Sequence, residues 1–213
     1  MSQQEGISLF DFQKHFSTEE ACQEHLFNMR WKEGFCCPRC GHKKYYLISK
    51  RRLYQCQDCS YQASVIAGTV FHKTRTPLQK WFWAIFLVAS DKRGYSALAL
   101  ANSINVSYPT AWLILQKIRA AMSDREQKYQ LSGLIQLDDA FFGGPNGLQG
   151  RGTDKTPVYV AVSTTDEGKP LHVKMKAVEI INKDTALEFA TQVISKGCTI
   201  ATDGYTVYPQ LKS

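Results

Sequence analysis

Two Cys-x-x-Cys pairs, Cys37 with Cys40 and Cys56 with Cys59, stand fifteen residues apart in this 213-residue chain. No other feature restricts the fold as tightly. Four thiolates carried on two knuckles close a tetrahedral shell around one Zn²⁺. Gly41, directly after Cys40, is the residue a tight knuckle turn favours. Between the pairs, the β-prone segments "YYLIS" and "RLYQC" predict a hairpin. A zinc ribbon is therefore expected over residues 34–66. Cys36 competes with Cys37 for the first ligand position, and the two-residue spacing favours Cys37. His42 is expected at the surface, because four thiolates already complete the shell. Cys22 and Cys198 are expected to be ordinary buried thiols.

The compartment decides between metal binding and disulfides. The N-terminal "MSQQEGISLFDFQKHF" has no apolar run of the kind a signal peptide needs. The longest apolar run, Trp81–Ala89, is too short to span a bilayer. A soluble, cytoplasmic protein is expected, in which the seven cysteines favour metal over disulfides. At 44% hydrophobic residues the chain can build a real core, in one large or two modest domains. That composition excludes a disordered or low-complexity protein.

The net charge of +7 is unevenly placed. Residues 1–130 hold 18 Lys/Arg against 10 Asp/Glu, whereas residues 131–213 hold 8 against 9. A basic front half suits a polyanion, most simply nucleic acid. Residues 32–52 alone carry seven Lys/Arg (Lys32, Arg39, Lys43, Lys44, Lys50, Arg51, Arg52) and one acid, Glu33. Tyr45, Tyr46 and Tyr54 interleave with them, a pattern suited to phosphate contact with some stacking. Lys43, Lys44, Arg51 and Arg52 are the candidate contacts in the ribbon. The alternative is a solvated basic surface.

Helical signals flank the ribbon. Ser17 and Glu20 have the spacing of a capping box ahead of a helix over about 18–29, within an N-terminal helical segment of 1–33. Over 76–125, "LQKWFWAIFLVAS" reads as a core helix, with Trp81 and Trp83 as packing residues. Ser96 is placed to cap a helix over 97–103. "INV" follows as a turn, and Ser107 is placed to cap a second helix over 108–122, with Pro109 tolerated in its first turn. Trp112, Leu115 and Ile118 repeat as a core stripe. Two short helices with a tight turn suit a helix-turn-helix, and Lys117 and Arg119 are its candidate DNA contacts. A plain helical hairpin is the alternative.

From 132 to 213 the pattern changes. "LIQLDDAFF", "TPVYVAVSTT" and "PLHVKMKAVE" read as strands, with a glycine-rich basic loop, "GGPNGLQGRGTDK", between the first two. "NKDTALEFATQVISKG" reads as a helix closed by Gly197. "CTIATDGYTVY" is a fourth strand with Asp203 at its end. The β-β-β-α-β order is the opening of an RNase H-like mixed sheet, in which an acid of the first strand meets an acid just after the fourth. Buried carboxylates need a partner. Here the candidate partner is Mg²⁺ or Mn²⁺ held by Asp203 and one of Asp138 and Asp139. Periodicity does not choose between the two. Surface acids at strand ends are the alternative reading.

The succession "TEEAC…RW…CPRCG…CQDC", "SYPTAW", "LDDAFFGG", "GRGTDKTPV" and "TDGYTVY" resembles bacterial insertion-sequence transposases with a zinc ribbon, a helix-turn-helix and a DDE catalytic domain. The resemblance runs from about residue 17 to the end. It implies an α+β, multi-domain protein with Asp138 and Asp203 as catalytic, metal-binding acids. It also implies double-stranded DNA as partner (element terminal inverted repeats and target DNA), a homo-oligomer on DNA, and a nucleoid-associated location. The implied reaction is strand cleavage to a 3′-OH, then transesterification with no covalent enzyme intermediate. The family's third metal-site residue, a Glu or Asn on a later helix, has no counterpart before Ser213. A fragment or a truncated transposase is therefore expected. The alternatives are a non-catalytic DNA-binding protein or transposition repressor, and a metal-dependent nuclease.

Overall fold

The computed structural model describes residues 7–91, 93–144, 154–203 and 207–208. The glycine-rich loop expected after the strand "LIQLDDAFF" lies largely outside these residues, as does most of the stretch after Asp203. The chain divides into two units, Met1–Ala121 and Met122–Ser213.

In the first unit, helix α1 (Leu9–His15) starts at Ser8, whose hydroxyl accepts from the Asp11 amide at 3.1 Å. Helix α2 (Glu19–Arg30) is capped by Thr18, which accepts from the Ala21 amide at 3.1 Å. The cap is thus Thr18 rather than Ser17. A helix beginning at residue 19 needs its capping hydroxyl at 18 to reach the third helical amide. Glu20 is consequently not the partner of a capping box, and Glu19 is directed elsewhere, as described below.

Strands β1 (Tyr45–Ile48), β2 (Leu53–Cys56) and β3 (Gln62–Ala63) form an antiparallel sheet in sequence order. The hairpin register runs from Tyr45 opposite Cys56 to Ile48 opposite Leu53. A 3-10 turn over Ser49–Arg51 and a left-handed Arg52 (φ 53°) close it. Tyr54 is buried rather than offered for stacking. Its ring packs on Phe27, Trp31 and Tyr45, all within 5.5 Å centroid to centroid. Of the three tyrosines that interleave with the basic residues, Tyr46 is the exposed one.

Helices α3 (Leu78–Ser90), α4 (Ala97–Ile104) and α5 (Tyr108–Glu126) follow. Ser96 caps α4, as expected, and Asn105 ends it in the left-handed region at φ 49°. Lys80 Nζ donates to the Asn105 carbonyl at 2.5 Å, and the Val106 amide donates back to the Ala101 carbonyl at 3.0 Å, fixing the turn. The buried residues of α5 are Ala111, Ile114, Leu115 and Ile118, an i, i+3, i+4, i+7 stripe. Trp112, expected in that stripe, is 50% exposed because it lies beside the stripe rather than on it. Trp81 is buried, and Trp83 packs on Phe12 at 4.8 Å, both as packing residues.

The second unit is a four-stranded sheet of β4 (Leu134–Phe142), β5 (Thr156–Thr164), β6 (Pro170–Ala177) and β7 (Thr199–Thr202), in the order β6-β5-β4-β7. The first three make an antiparallel meander, and β7 runs parallel to β4. A parallel return needs a crossover, supplied by helix α6 (Lys183–Val193). Asn182 and Thr185 form its capping box. The helix ends at Val193, four residues before Gly197, because the chain there pairs with Leu131. The Leu131 amide donates to the Val193 carbonyl at 2.7 Å, and the Ser195 amide to the Leu131 carbonyl at 2.9 Å. Gly197 (φ 81°) instead serves the turn into β7.

Ile135, Leu137, Tyr159 and Ala161 face the core with Ala186 and Phe189 of α6. The period-2 alternation then places Gln136 and Asp138 on the exposed side. So β4 is not the strand buried on both faces that its apolar content suggests. No helix among the described residues is long and apolar enough to cross a membrane.

Candidate metal centre and carboxylate site

The four ribbon thiols converge. The Sγ atoms of Cys37, Cys40, Cys56 and Cys59 all lie within 4.8 Å of one another. Cys37 and Cys59 are 3.6 Å apart, and Cys40 and Cys56 are 3.5 Å apart. Tetrahedral zinc–thiolate bonds of about 2.3 Å imply sulfur separations of about 3.8 Å, so the donor set and spacing fit Zn²⁺. Each knuckle turns through a left-handed residue directly after its second cysteine, Gly41 (φ 76°) and Ser60 (φ 57°). The first turn is closed by the Gly41 amide donating to the Cys37 carbonyl at 2.9 Å, and by the Cys37 amide donating to the His42 carbonyl at 2.9 Å. In the second, the Cys56 amide donates to the Tyr61 carbonyl at 2.9 Å.

The thiols of Cys37 and Cys40 are shifted in opposite directions. Burial opposes ionisation of Cys37, but the amides of Cys40 and Arg39 and the thiols of Cys59 and Cys40 outweigh it and lower its pKa to about 6. At Cys40 the His42 amide favours the thiolate, but the Cys59 thiol, burial and the Cys56 and Cys37 thiols push the pKa up to about 12. Four crowded sulfurs do not all ionise without a cation among them, which is the electrostatic reason for the metal. Cys36 lies outside the group, exposed, with its thiol donating to the Gly41 carbonyl at 3.6 Å. Cys22 is fully buried, as expected, whereas Cys198 is half-buried.

The basic residues divide into two sets. Lys43, Lys44, Arg51 and Arg119 are exposed. Arg52 donates to Glu19 at 2.6 Å, and Lys117 donates to the His72 carbonyl at 3.0 Å while lying 5.7 Å from the Trp81 ring centroid.

The carboxylates lie at the far end of the β4–β7 ladder. Its last pair is Leu137 opposite Thr202, and Asp138 and Asp203 are the next residues on their respective chains. Both are exposed. Asp138 Oδ1 accepts from the Asp139 amide at 2.7 Å. Asp139 is half-buried and accepts from the hydroxyl of Tyr208 at 2.9 Å. Sequence reasoning missed Tyr208. Its signal was the aromatic two residues beyond "YT" in a stretch read only as strand.

Residues 17–62 match the transposase zinc-ribbon domain of the IS1595 type, and residues 130–213 match the ISXO2-like transposase domain. Each of these two stretches is thus similar to a transposase domain. A relative from Halobacterium salinarum, described as an uncharacterized protein in transposable element ISH50, is 25% identical over 216 residues. That match spans 93% of this chain and 71% of the relative. No solved structure matches. The ribbon match encloses all four cysteines of the cluster, and the transposase-domain match encloses Asp138, Asp139, Asp203 and Tyr208.

Proposed function

We propose that this protein is an insertion-sequence transposase of the DDE class, with residues 132–213 forming an RNase H-like catalytic domain. The observation that carries the reading is the parallel β4–β7 register, whose last pair, Leu137 and Thr202, is followed directly by Asp138 and Asp203. Parallel strands in register direct facing residues to the same side of a sheet. Two carboxylates placed so repel each other, and a hard divalent cation offsets the repulsion. Asp138 and Asp203 would hold Mg²⁺ or Mn²⁺ through their carboxylate oxygens. The bound cation supplies Lewis acidity at a phosphodiester. The chain's own contribution is placement, because Asp138 is carried within β4 and Asp203 directly follows β7.

The first unit binds DNA in this reading. Residues 1–121 carry 16 Lys/Arg against 8 Asp/Glu. The zinc ribbon (34–66) and the helix-turn-helix region (76–125) engage the terminal inverted repeats of the element, with α5 in the major groove. Synapsis of two ends makes the protein a homo-oligomer on DNA. Hydrolysis by water leaves a 3′-OH and a 5′-phosphate, and the 3′-OH then attacks a target phosphodiester and displaces the target's own 3′-OH.

Mn²⁺ titration followed by electron paramagnetic resonance tests the carboxylate pair, and gel shift with element-end duplex tests the division of labour. Asp138→Ala and Asp203→Ala should each weaken Mn²⁺ binding at least tenfold and leave DNA binding intact. A protein that binds DNA but holds Mn²⁺ equally well in both variants is a DNA-binding protein without this catalytic site.

A further inference from the structure

The transposase-domain strand β4 carries two adjacent acids, and its geometry gives them different work. We infer that Asp139 is a positioning residue: through Tyr208 it anchors the chain that follows Asp203, and so holds Asp203 beside Asp138. This rests on the reading of Asp138 and Asp203 as the cation-binding pair.

Strand alternation separates the two acids. Asp139 falls on the face of Ile135 and Leu137, whereas Asp138 falls on the opposite, exposed face. Adjacent strand positions do not direct both carboxylates at one ion from opposite faces. A phenol is among the partners of Asp139. Tyr208 is 2% exposed and Val207 is 6% exposed, and both belong to the core cluster of Ile135, Leu137, Tyr159 and Phe189. The Tyr208 hydroxyl donates to Asp139 Oδ1 at 2.9 Å. Burial raises the Tyr208 pKa first, and the hydrogen-bonded Asp139 carboxylate raises it further, so the phenol remains a donor throughout the neutral range.

The position of Asp203 gives this bond its consequence. Strand β7 is four residues long, and its pairing with β4 stops at Thr202. Asp203 therefore lies just outside the ladder. It is held on its N-terminal side by β7 and on its C-terminal side, five residues on, by Tyr208 in the core. A charge-assisted hydrogen bond from a buried donor is strong enough to define the register of so short a tether. Releasing it removes one restraint on the chain after Asp203 while leaving Asp138 on its strand.

Three variants separate an anchor from a ligand. Asp139→Asn keeps an acceptor for Tyr208 and loses the charge. Asp139→Ala loses both, and Tyr208→Phe loses only the donor. Amide hydrogen exchange on the full chain is the direct readout. Tyr208→Phe and Asp139→Ala should speed exchange at Thr202 and Asp203 about tenfold, with Asp139→Asn close to wild type. Mn²⁺ affinity should follow the same order, and the Tyr208→Phe/Asp139→Ala double variant should be no worse than either single one. If Asp139→Asn loses Mn²⁺ as fully as Asp139→Ala while Tyr208→Phe is unaffected, Asp139 is a ligand and the inference is wrong. Unchanged exchange in Tyr208→Phe also overturns it. Should Asp138→Ala leave Mn²⁺ binding untouched, the cation-pair reading fails instead, and the exchange data still decide whether the anchor exists.

Discussion

The backbone amide of Leu78 donates to Glu19 Oε1 at 2.9 Å, across 59 positions of sequence. The Gln79 amide donates to the other oxygen, Oε2, at 3.0 Å. Helix α3 begins after Pro77, which offers no side-chain cap, so a carboxylate from the first turn of α2 serves in its place. The partial positive charge of the α3 terminus suits that carboxylate. Arg52 of the ribbon hairpin completes the junction at 2.6 Å. One acid thus joins α2, the ribbon and α3. Glu19→Ala should lower the stability of the first unit by roughly 2 kcal/mol, the scale of a lost cap with charged hydrogen bonds. Arg52→Ala, with its guanidinium partly in solvent, should cost about 1 kcal/mol or less. Chemical denaturation checks both, and equal losses would assign the junction to the ion pair rather than the cap.

Zinc removal should act on the ribbon as a whole. The three strands of the ribbon sheet are short, and its two knuckles are joined by the cysteine cluster. Metal analysis should find about one zinc per chain. Cys56→Ser should lose most of it and expose Tyr54 and Trp31, read as a red shift in tryptophan emission. Cys36→Ser should retain the metal, since its sulfur lies outside the cluster.

Cys22 gives an alkaline signature. Burial, then the Glu19 carboxylate, pushes its pKa from 9.0 up to about 11. Between those values the unfolded chain has released this proton and the folded chain has kept it. The unfolded state then binds fewer protons, so stability falls as pH rises from 9 to 11. Thermal midpoints of wild type should drop more steeply over that window than those of Cys22→Ala. Parallel curves would assign the alkaline loss to other groups.

The two sets of basic residues should respond differently to substitution. Neutralising Lys43, Lys44 and Arg51 together should reduce the slope of log affinity against log salt by roughly 2 to 3 units on duplex DNA. Lys117→Gln should leave that slope unchanged and lower the melting temperature, because its ammonium group is bonded to the His72 carbonyl. Anisotropy titrations at several salt concentrations measure the slope, and a falling slope in Lys117→Gln would place that residue on the DNA.

Local chemistry was enough to determine several parts of this protein. Cysteine spacing specified the zinc ribbon because two Cys-x-x-Cys knuckles have few other ways to satisfy four thiols. Ser96 and the 3.6-residue pattern after it specified α4, and alternating apolar runs specified β4, β5 and β6, because caps and periodicities act within a few residues. The sites where that reading slipped are those settled by distant partners. The end of α6 was decided by Leu131, whose backbone took the pairing that a helix closed at Gly197 would have needed. Trp112 left the core because the packed face of α5 runs through Ala111 and Ile114, and a one-residue difference on a helix turns a side chain by about 100°. Tyr54 became a core ring because Phe27 and Trp31 meet it there. Whether Asp138 or Asp139 faced solvent was open in the sequence, since both faces of β4 carry apolar residues. Packing of Ile135 and Leu137 against α6 settled it, because strand alternation then admits only one assignment for each acid.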